Sequence, residues 1–134
     1  MKPINAIHPP EGPSALGHYS PGIQAGPFLY VSGQIAVTPA GESLAQADLA
    51  AQSLQALNNM AGVVRAAGGR LEDVVKITVY LADPEGWPVF NQIYADFFKD
   101  HRPARAVVPV LPFHGGFLVE VEAVAYLDPS AGDD

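Results

Sequence analysis

Cysteine is absent from this 134-residue chain, and charged residues are scarce. Without cysteine there can be no disulfide, no thiolate nucleophile and no thiolate metal site. Only 16% of the residues are charged, and 7 Lys and Arg against 14 Asp and Glu give a net charge of -7. Because nucleic-acid affinity comes largely from cationic contacts to phosphates, a nucleic-acid partner is disfavoured.

Long apolar runs and targeting segments are missing as well. No apolar run approaches the ~20 residues that a membrane helix needs, so no membrane partner is predicted. The N-terminus lacks the basic and apolar blocks of a signal peptide, and a reduced cytoplasm is the simplest location. None of the four histidines has the spacing typical of metal ligands, so no metal site is predicted.

The residues that are present predict one packed domain over residues 1–134. Hydrophobic residues make up 49% of the chain, and this length can bury most of the surface that the unfolded chain would expose. Residues 1–17 are rich in Pro and Gly and are interpreted as an extended arm, and residues 128–134 as a polar tail.

Hydrophobic periodicity predicts an α+β architecture, a layer of sheet covered by helices. Alternating patterns predict strands over residues 19–24, 28–35, 74–81, 104–110 and 117–126. Apolar residues at helical spacing predict one helix from Asp48, its N-cap, to the stop at Gly68, and a second that begins at Asp83-Pro84. The second helix carries an aromatic stripe from Phe90 to Phe98, which should pack against the sheet.

The last two strands carry a lone guanidinium, Arg105, and two carboxylates, Glu120 and Glu122. A charge on a half-buried strand is costly unless it is paired or exposed in a cleft, so these residues are candidates for function. Alternate residues of a strand share a face, so both carboxylates should lie on one face of the sheet and Val119 and Val121 on the other. The apolar valine side chains suit packing against the helices. The carboxylate face would then need another cover, which predicts a homo-oligomer.

Six segments, in their order and spacing, resemble the Rid family, also called the YjgF family or endoribonuclease L-PSP. The resemblance spans about residues 14 to 127. The segments are Gly17-His18-Tyr19-Ser20-Pro21, Val31-Ser32-Gly33-Gln34-Ile35, Val75-Lys76-Ile77-Thr78-Val79-Tyr80-Leu81, Asn91 through Phe98, Pro103-Ala104-Arg105 and Glu120-Val121-Glu122-Ala123.

This resemblance implies a chorismate-mutase-like α+β fold, with a mixed, mostly antiparallel sheet of about six strands covered on one face by two helices. It also implies a homotrimer with active sites in the clefts between subunits. The implied activity is a deaminase that hydrolyses enamines and imines, such as 2-aminoacrylate and 2-iminopropanoate, to 2-keto acids and ammonia without a cofactor. Two alternatives stay open: a non-catalytic module that binds a carboxylate metabolite or a partner, and an endoribonuclease or translation inhibitor.

The chemistry of an imino acid agrees with the residue types that the resemblance singles out. The planar fork of Arg105 suits a carboxylate bound through two parallel hydrogen bonds. Glu120 would position or activate the attacking water, with Glu122 as second choice and a structural role more suited to it. Tyr19, Ser32, Gly33 and Asn91 are the remaining substrate-binding candidates, with Ser32 limited to hydrogen bonding because no activating base or nucleophile elbow surrounds it.

Some positions depart from the family's pattern. Where many members carry a cysteine two residues after the arginine, this chain has Val107, and where they carry an acid four residues after it, this chain has Pro109. The Phe113-His114-Gly115-Gly116 turn also looks longer than usual, which would change the edge of the pocket. His114, in this turn, could reach that edge, although a solvated loop histidine is the default. These departures leave the preferred imine open.

Overall fold

The computed structural model describes residues 3–128, which form a six-stranded sheet and two α-helices. The elements, in chain order, are β1 Ile4–Ile7, β2 Gly22–Ala25, β3 Phe28–Gln34, α1 Leu49–Ala66, β4 Val74–Leu81, α2 Trp87–Phe98, β5 Ala104–Pro109 and β6 Val119–Tyr126. The strand order is β1-β2-β3-β6-β4-β5. All neighbours are antiparallel except β4 and β5, which are parallel. The α+β expectation is confirmed.

β3, β5 and β6 are one or two residues shorter at one end than the sequence-based prediction, and three further differences are larger. The N-terminal arm contains β1, which pairs along β2 and extends the sheet by one edge strand. β2 begins at Gly22 rather than at residue 19. The Asp83 side chain caps a 3₁₀ turn, Pro84–Gly86, by accepting a hydrogen bond from the Glu85 amide at 2.9 Å, and α2 begins only after that turn. The predicted polar tail, apart from its first residue, lies outside the described residues.

Both helices contribute to the core. The Asp48 carboxylate caps α1 by accepting a hydrogen bond from the Ala51 amide at 2.9 Å, as predicted. The aromatic stripe of α2 buries Phe90, Tyr94 and Phe98 in the same core as the inward residues of β4 and β6. Within the described range, no helix combines the length and the apolar character needed to cross a membrane.

The sheet has one core face and one open face. Along β6, residues from Val119 to Ala125 alternate between buried and half-buried, and Glu120 and Glu122 belong to the half-buried set. The predicted sharing of a face by the two carboxylates is therefore confirmed. The same open face carries three exposed aromatic side chains, Phe28 at 41%, Tyr30 at 50% and Tyr126 at 46% exposure. A patch of this kind is typical of a protein interface.

A buried glutamine connects α1 to the start of β6. Gln52 is fully buried; its amide nitrogen donates to the Ala45 and Ala47 carbonyls at 3.3 and 3.1 Å, and its oxygen accepts from the Leu118 amide at 2.9 Å. Replacing it with methionine keeps the volume but leaves these backbone groups unpaired. We expect Gln52→Met to lower the free energy of unfolding by about 2–4 kcal/mol.

Urea denaturation measures this effect, with Gln92→Met as the matched control. Gln92 lies on the exposed side of α2 and bonds only to the Asp96 carboxylate among the described contacts. Its replacement should change stability by less than about 0.5 kcal/mol. Equal stability of the two variants would mean that the Gln52 hydrogen bonds contribute nothing net.

Candidate active site

The Arg105 side chain lies at the edge of the sheet, on the face that the helices cover. Arg105 pairs with the buried Ile77 of β4. Its guanidinium carbon is 4.9 Å from the centre of the Trp87 ring and 4.6 Å from that of Tyr94. One guanidinium nitrogen donates to the Asn91 side-chain oxygen at 3.1 Å. Stacking and this hydrogen bond fix the plane of the fork while leaving other N–H donors for a ligand.

Within residues 3–128, the side chains that hold this guanidinium all come from helix α2. Trp87, Asn91 and Tyr94 lie at positions i, i+4 and i+7, which share one face of a helix. Of the three, sequence reasoning selected only Asn91. It assigned Tyr94 to the core stripe and passed over Trp87, although their spacing relative to Asn91 was visible. Burial raises the pKa of Tyr94 to about 12 against the opposing effect of Arg105, so the ring that faces the cation is neutral.

Glu120 is packed against a glycine on the neighbouring strand. A Cβ atom built on Gly33 would lie 2.5 Å from a carboxylate oxygen of Glu120, which is too close for any larger residue without displacing the acid. A β-bulge between Val31 and Gln34 brings this part of β3 against β6. The predicted residues Gly33 and Glu120 are therefore in contact, for the reason that glycine permits close approach.

Glu122 is held by a tyrosine of β4 that the sequence analysis did not select. The Tyr80 hydroxyl donates a hydrogen bond to the Glu122 carboxylate. Burial, and then the negative charge of Glu122, raise the pKa of Glu120 above its usual range. The hydrogen bond to Glu122, followed by burial, raises the pKa of Tyr80 as well. The contact with Tyr80 agrees with the structural role expected for Glu122.

Tyr19 shares a cavity with Gly33, and Ser32 precedes Gly33 on β3. Tyr19 is 47% exposed and lines a small cavity together with Gly33, and its hydroxyl accepts a hydrogen bond from the Leu16 amide at 3.2 Å. The Ser32 hydroxyl donates to the Ser20 carbonyl at 2.6 Å. Its proton is thus used within the chain, and the bond fixes the segment before β2 against β3. The substrate-binding roles of Tyr19 and Ser32 stay predictions.

The candidate residues form two groups that a single chain does not bring together. Arg105 pairs with Ile77, whereas Glu120 pairs with Tyr80, three residues further along the same strand. Side chains whose residue numbers differ by three, or by any odd number, point to opposite faces of a strand. We call Arg105 and Asn91 the arginine group, and Tyr19, Ser32, Gly33 and Glu120 the glutamate group. The sheet separates the two groups.

Two of the positions that depart from the family's pattern, Val107 and Pro109, lie near Trp87, which stacks on Arg105. Val107 and Pro109 line an apolar cavity of about 310 Å³ beside Trp87. His114 is exposed in the 3₁₀ turn His114–Gly116 that precedes β6. Across residues 3–128 no three His, Asp or Glu side chains are grouped so that they could hold a metal ion.

Comparison with known proteins gives the same family throughout. The family model described as endoribonuclease L-PSP matches residues 10–127. The chain is 39% identical to the human 2-iminobutanoate/2-iminopropanoate deaminase, covering 89% of this chain and 87% of that protein. It is 40% identical to a RutC family protein of Pyrococcus horikoshii, covering 85% and 90%. The crystal structure of E. coli TdcF with bound serine superposes with a TM-score of 0.87 at 33% identity, covering 92% of this chain and 99% of that one.

Proposed function

Since this chain belongs to the endoribonuclease L-PSP family, also called the Rid or YjgF family, we propose that it hydrolyses imines and enamines of 2-amino acids to 2-keto acids and ammonia. The observation that carries the proposal is the oriented guanidinium of Arg105, held by two aromatic rings and Asn91. The related TdcF protein of E. coli has serine, an amino acid, bound in its crystal structure. The human relative is named for the imine deaminase reaction itself.

The arginine group binds the substrate carboxylate in this proposal. A 2-imino acid has a planar carboxylate next to the reacting C=N bond, and a guanidinium binds such a group through two parallel, charge-assisted hydrogen bonds. Because the Asn91 side-chain oxygen already accepts a hydrogen bond from one N–H group of Arg105, the guanidinium is oriented before the substrate arrives. Binding of this kind fixes the position of the C=N carbon relative to the rest of the site.

Glu120 handles the water. In its ionised form it accepts a proton from water as the water oxygen attacks the C=N carbon, and in its protonated form it returns a proton to the departing nitrogen. The products are a C=O group and ammonia, so the step needs only water. A carboxyl group whose pKa is raised is suited to both parts of this cycle near neutral pH, since it can both take and return the proton.

The separation of the two groups supports an active site between subunits. A second copy of the chain must supply one group, because the sheet lies between Arg105 and Glu120 within one chain. The exposed aromatic residues on the same face of the sheet as Glu120 provide an apolar surface on which the second copy can pack. We propose the homotrimer that the family resemblance implies as the assembly.

The two other functions have weaker support. A module that only binds a carboxylate would use Arg105 but would need no acid with a raised pKa. An endoribonuclease would need a basic track, and the net charge of -7 opposes RNA binding. Binding of the native protein to RNA at physiological salt would favour that alternative.

Keto-acid release tests the proposal. A threonine dehydratase generates 2-iminobutanoate in solution, semicarbazide competes for the imine, and the rate of 2-oxobutanoate formation is followed with and without the native protein. We expect faster release with the protein present. Equal rates with an oligomeric, folded preparation would reject the deaminase and favour the binding module.

The pH profile should depend on Glu122. Removing the negative charge with Glu122→Gln takes away one of the two causes that raise the pKa of Glu120, so this pKa should fall toward its usual value. Activity that requires ionised Glu120 rises as pH increases through its pKa. The acidic limb of the kcat/KM profile should therefore move to lower pH in the variant, and an unmoved limb would contradict the role of Glu120 as base.

A further inference from the structure

A cavity of about 430 Å³ lies between the end of α2 and the start of β5, next to the arginine group. Its volume is in the range of small-molecule sites. The polar residues on its wall are Asn91, Tyr94, Lys99, His101, Arg102 and Arg105. The proposed function uses Asn91, Tyr94 and Arg105, and it leaves Lys99, His101 and Arg102 without a role.

The cavity collects positive charge in an acidic protein. Three of the seven Lys and Arg residues of the chain, Lys99, Arg102 and Arg105, line it, and no Asp or Glu does. In the part of the chain that the structure describes, the one ion pair joins Arg70 and Glu72, so these three cations have no carboxylate within 4.0 Å. Cations that face a common cavity without a carboxylate partner favour an anionic ligand.

The loop that carries these cations is fixed in place. Lys99 has a positive φ of 56°, a strained conformation that turns the chain sharply at the end of α2. The His101 ring then contacts the Val74 carbonyl at 2.7 Å, which holds the loop on β4. Arg102 precedes Pro103, and a residue in that position favours extended backbone. The backbone that carries the second cationic group is therefore held on the sheet, and the Lys99 and Arg102 side chains extend from it as exposed cations.

The shared cavity suits a substrate with two carboxylates. One carboxylate needs one guanidinium, so a substrate on Arg105 leaves Lys99 and Arg102 for a second anionic group. Because Lys99 and Arg102 line the same cavity as Arg105, a dicarboxylate of four or five carbons that is bound on Arg105 can present its distal carboxylate to them.

Resting on the proposed function, we propose that the preferred substrates are imines of dicarboxylic amino acids, such as 2-iminosuccinate or 2-iminoglutarate. Arg105 binds the carboxylate next to the C=N carbon, and Arg102 with Lys99 binds the distal carboxylate. Water adds its oxygen to the C=N carbon, and the nitrogen leaves as ammonia. The product is a 2-oxo dicarboxylate.

The test compares two imines made in the same way. Amino-acid oxidases generate 2-iminoglutarate from glutamate and 2-iminobutanoate from 2-aminobutanoate, with catalase and competing semicarbazide present. We expect native kcat/KM to be about tenfold higher for the dicarboxylate, which corresponds to one added charge-assisted contact. Arg102→Ala should reduce this preference about tenfold, mainly through a higher KM, and Lys99→Gln should reduce it in the same direction.

The outcomes test the dicarboxylate preference and the deaminase activity separately. Arg70→Ala is the control, because Arg70 is exposed and lies outside the cavity, and it should leave the preference unchanged. A native enzyme that turns over both imines equally, or an Arg102→Ala variant with unchanged preference, overturns the dicarboxylate inference and leaves the deaminase in place. Turnover of neither imine by the folded oligomer rejects the proposed function itself.

Discussion

Replacing Arg105 with lysine should lower kcat/KM for imine hydrolysis by about 100-fold, and replacing it with alanine by about 1000-fold. Lysine keeps the positive charge but loses the planar fork, and with it one of the two hydrogen bonds to the carboxylate. It also loses the stacking of the guanidinium on the Trp87 and Tyr94 rings, whose centres lie 4.9 and 4.6 Å from the guanidinium carbon. The lysine variant should therefore fall between the native and alanine proteins.

Steady-state keto-acid formation with semicarbazide competition measures this series. Arg70→Lys is the matched control, since Arg70 is exposed and its ion pair with Glu72 is long, at 4.0 Å. Sedimentation of every variant checks that the assembly is unchanged. An Arg105→Lys variant with nearly native activity would mean that charge alone binds the substrate and that the oriented fork has no part in it.

Mixing two inactive variants should restore activity. Arg105→Ala lacks the arginine group's cation and Glu120→Gln lacks the glutamate group's acid, so each should be inactive alone. If one protomer contributes Arg105 and its partner contributes Glu120, mixed oligomers contain some sites with both intact groups. In any closed ring with random 1:1 mixing, each site draws its two groups independently, so about a quarter of native activity should return.

Co-expression of the two variants with different affinity tags yields the mixed oligomers for this assay. The control combines Arg105→Ala with the double variant Arg105→Ala/Glu120→Gln, which has no intact arginine group and should stay inactive. Failure of the first mixture to regain activity, with mixed oligomers present by both tags, would mean that one chain supplies both groups. That result would contradict the separation of Arg105 and Glu120 by the sheet.

The sequence determined most of the local structure of this protein, although it did not show that the N-terminal arm pairs as β1. β4 runs over the predicted residues, Asp48 caps α1, and the stripe from Phe90 to Phe98 faces the core. These features depend on periodicity and capping, which act between residues close in the chain. The same alternation was enough to place Glu120 and Glu122 together on one face and to indicate that this face needs a cover.

Only the tertiary structure decided how the candidate residues meet. The Tyr80 contact with Glu122 joins residues 42 positions apart and follows from the pairing of β4 with β6, which no local pattern specifies. The parallel addition of β5 to the far side of β4 directs Arg105 to the helix face, away from Glu120. Alternation fixes faces within a strand, but strand order and register are set by packing between distant segments, and they put Arg105 and Glu120 on opposite sides of the sheet.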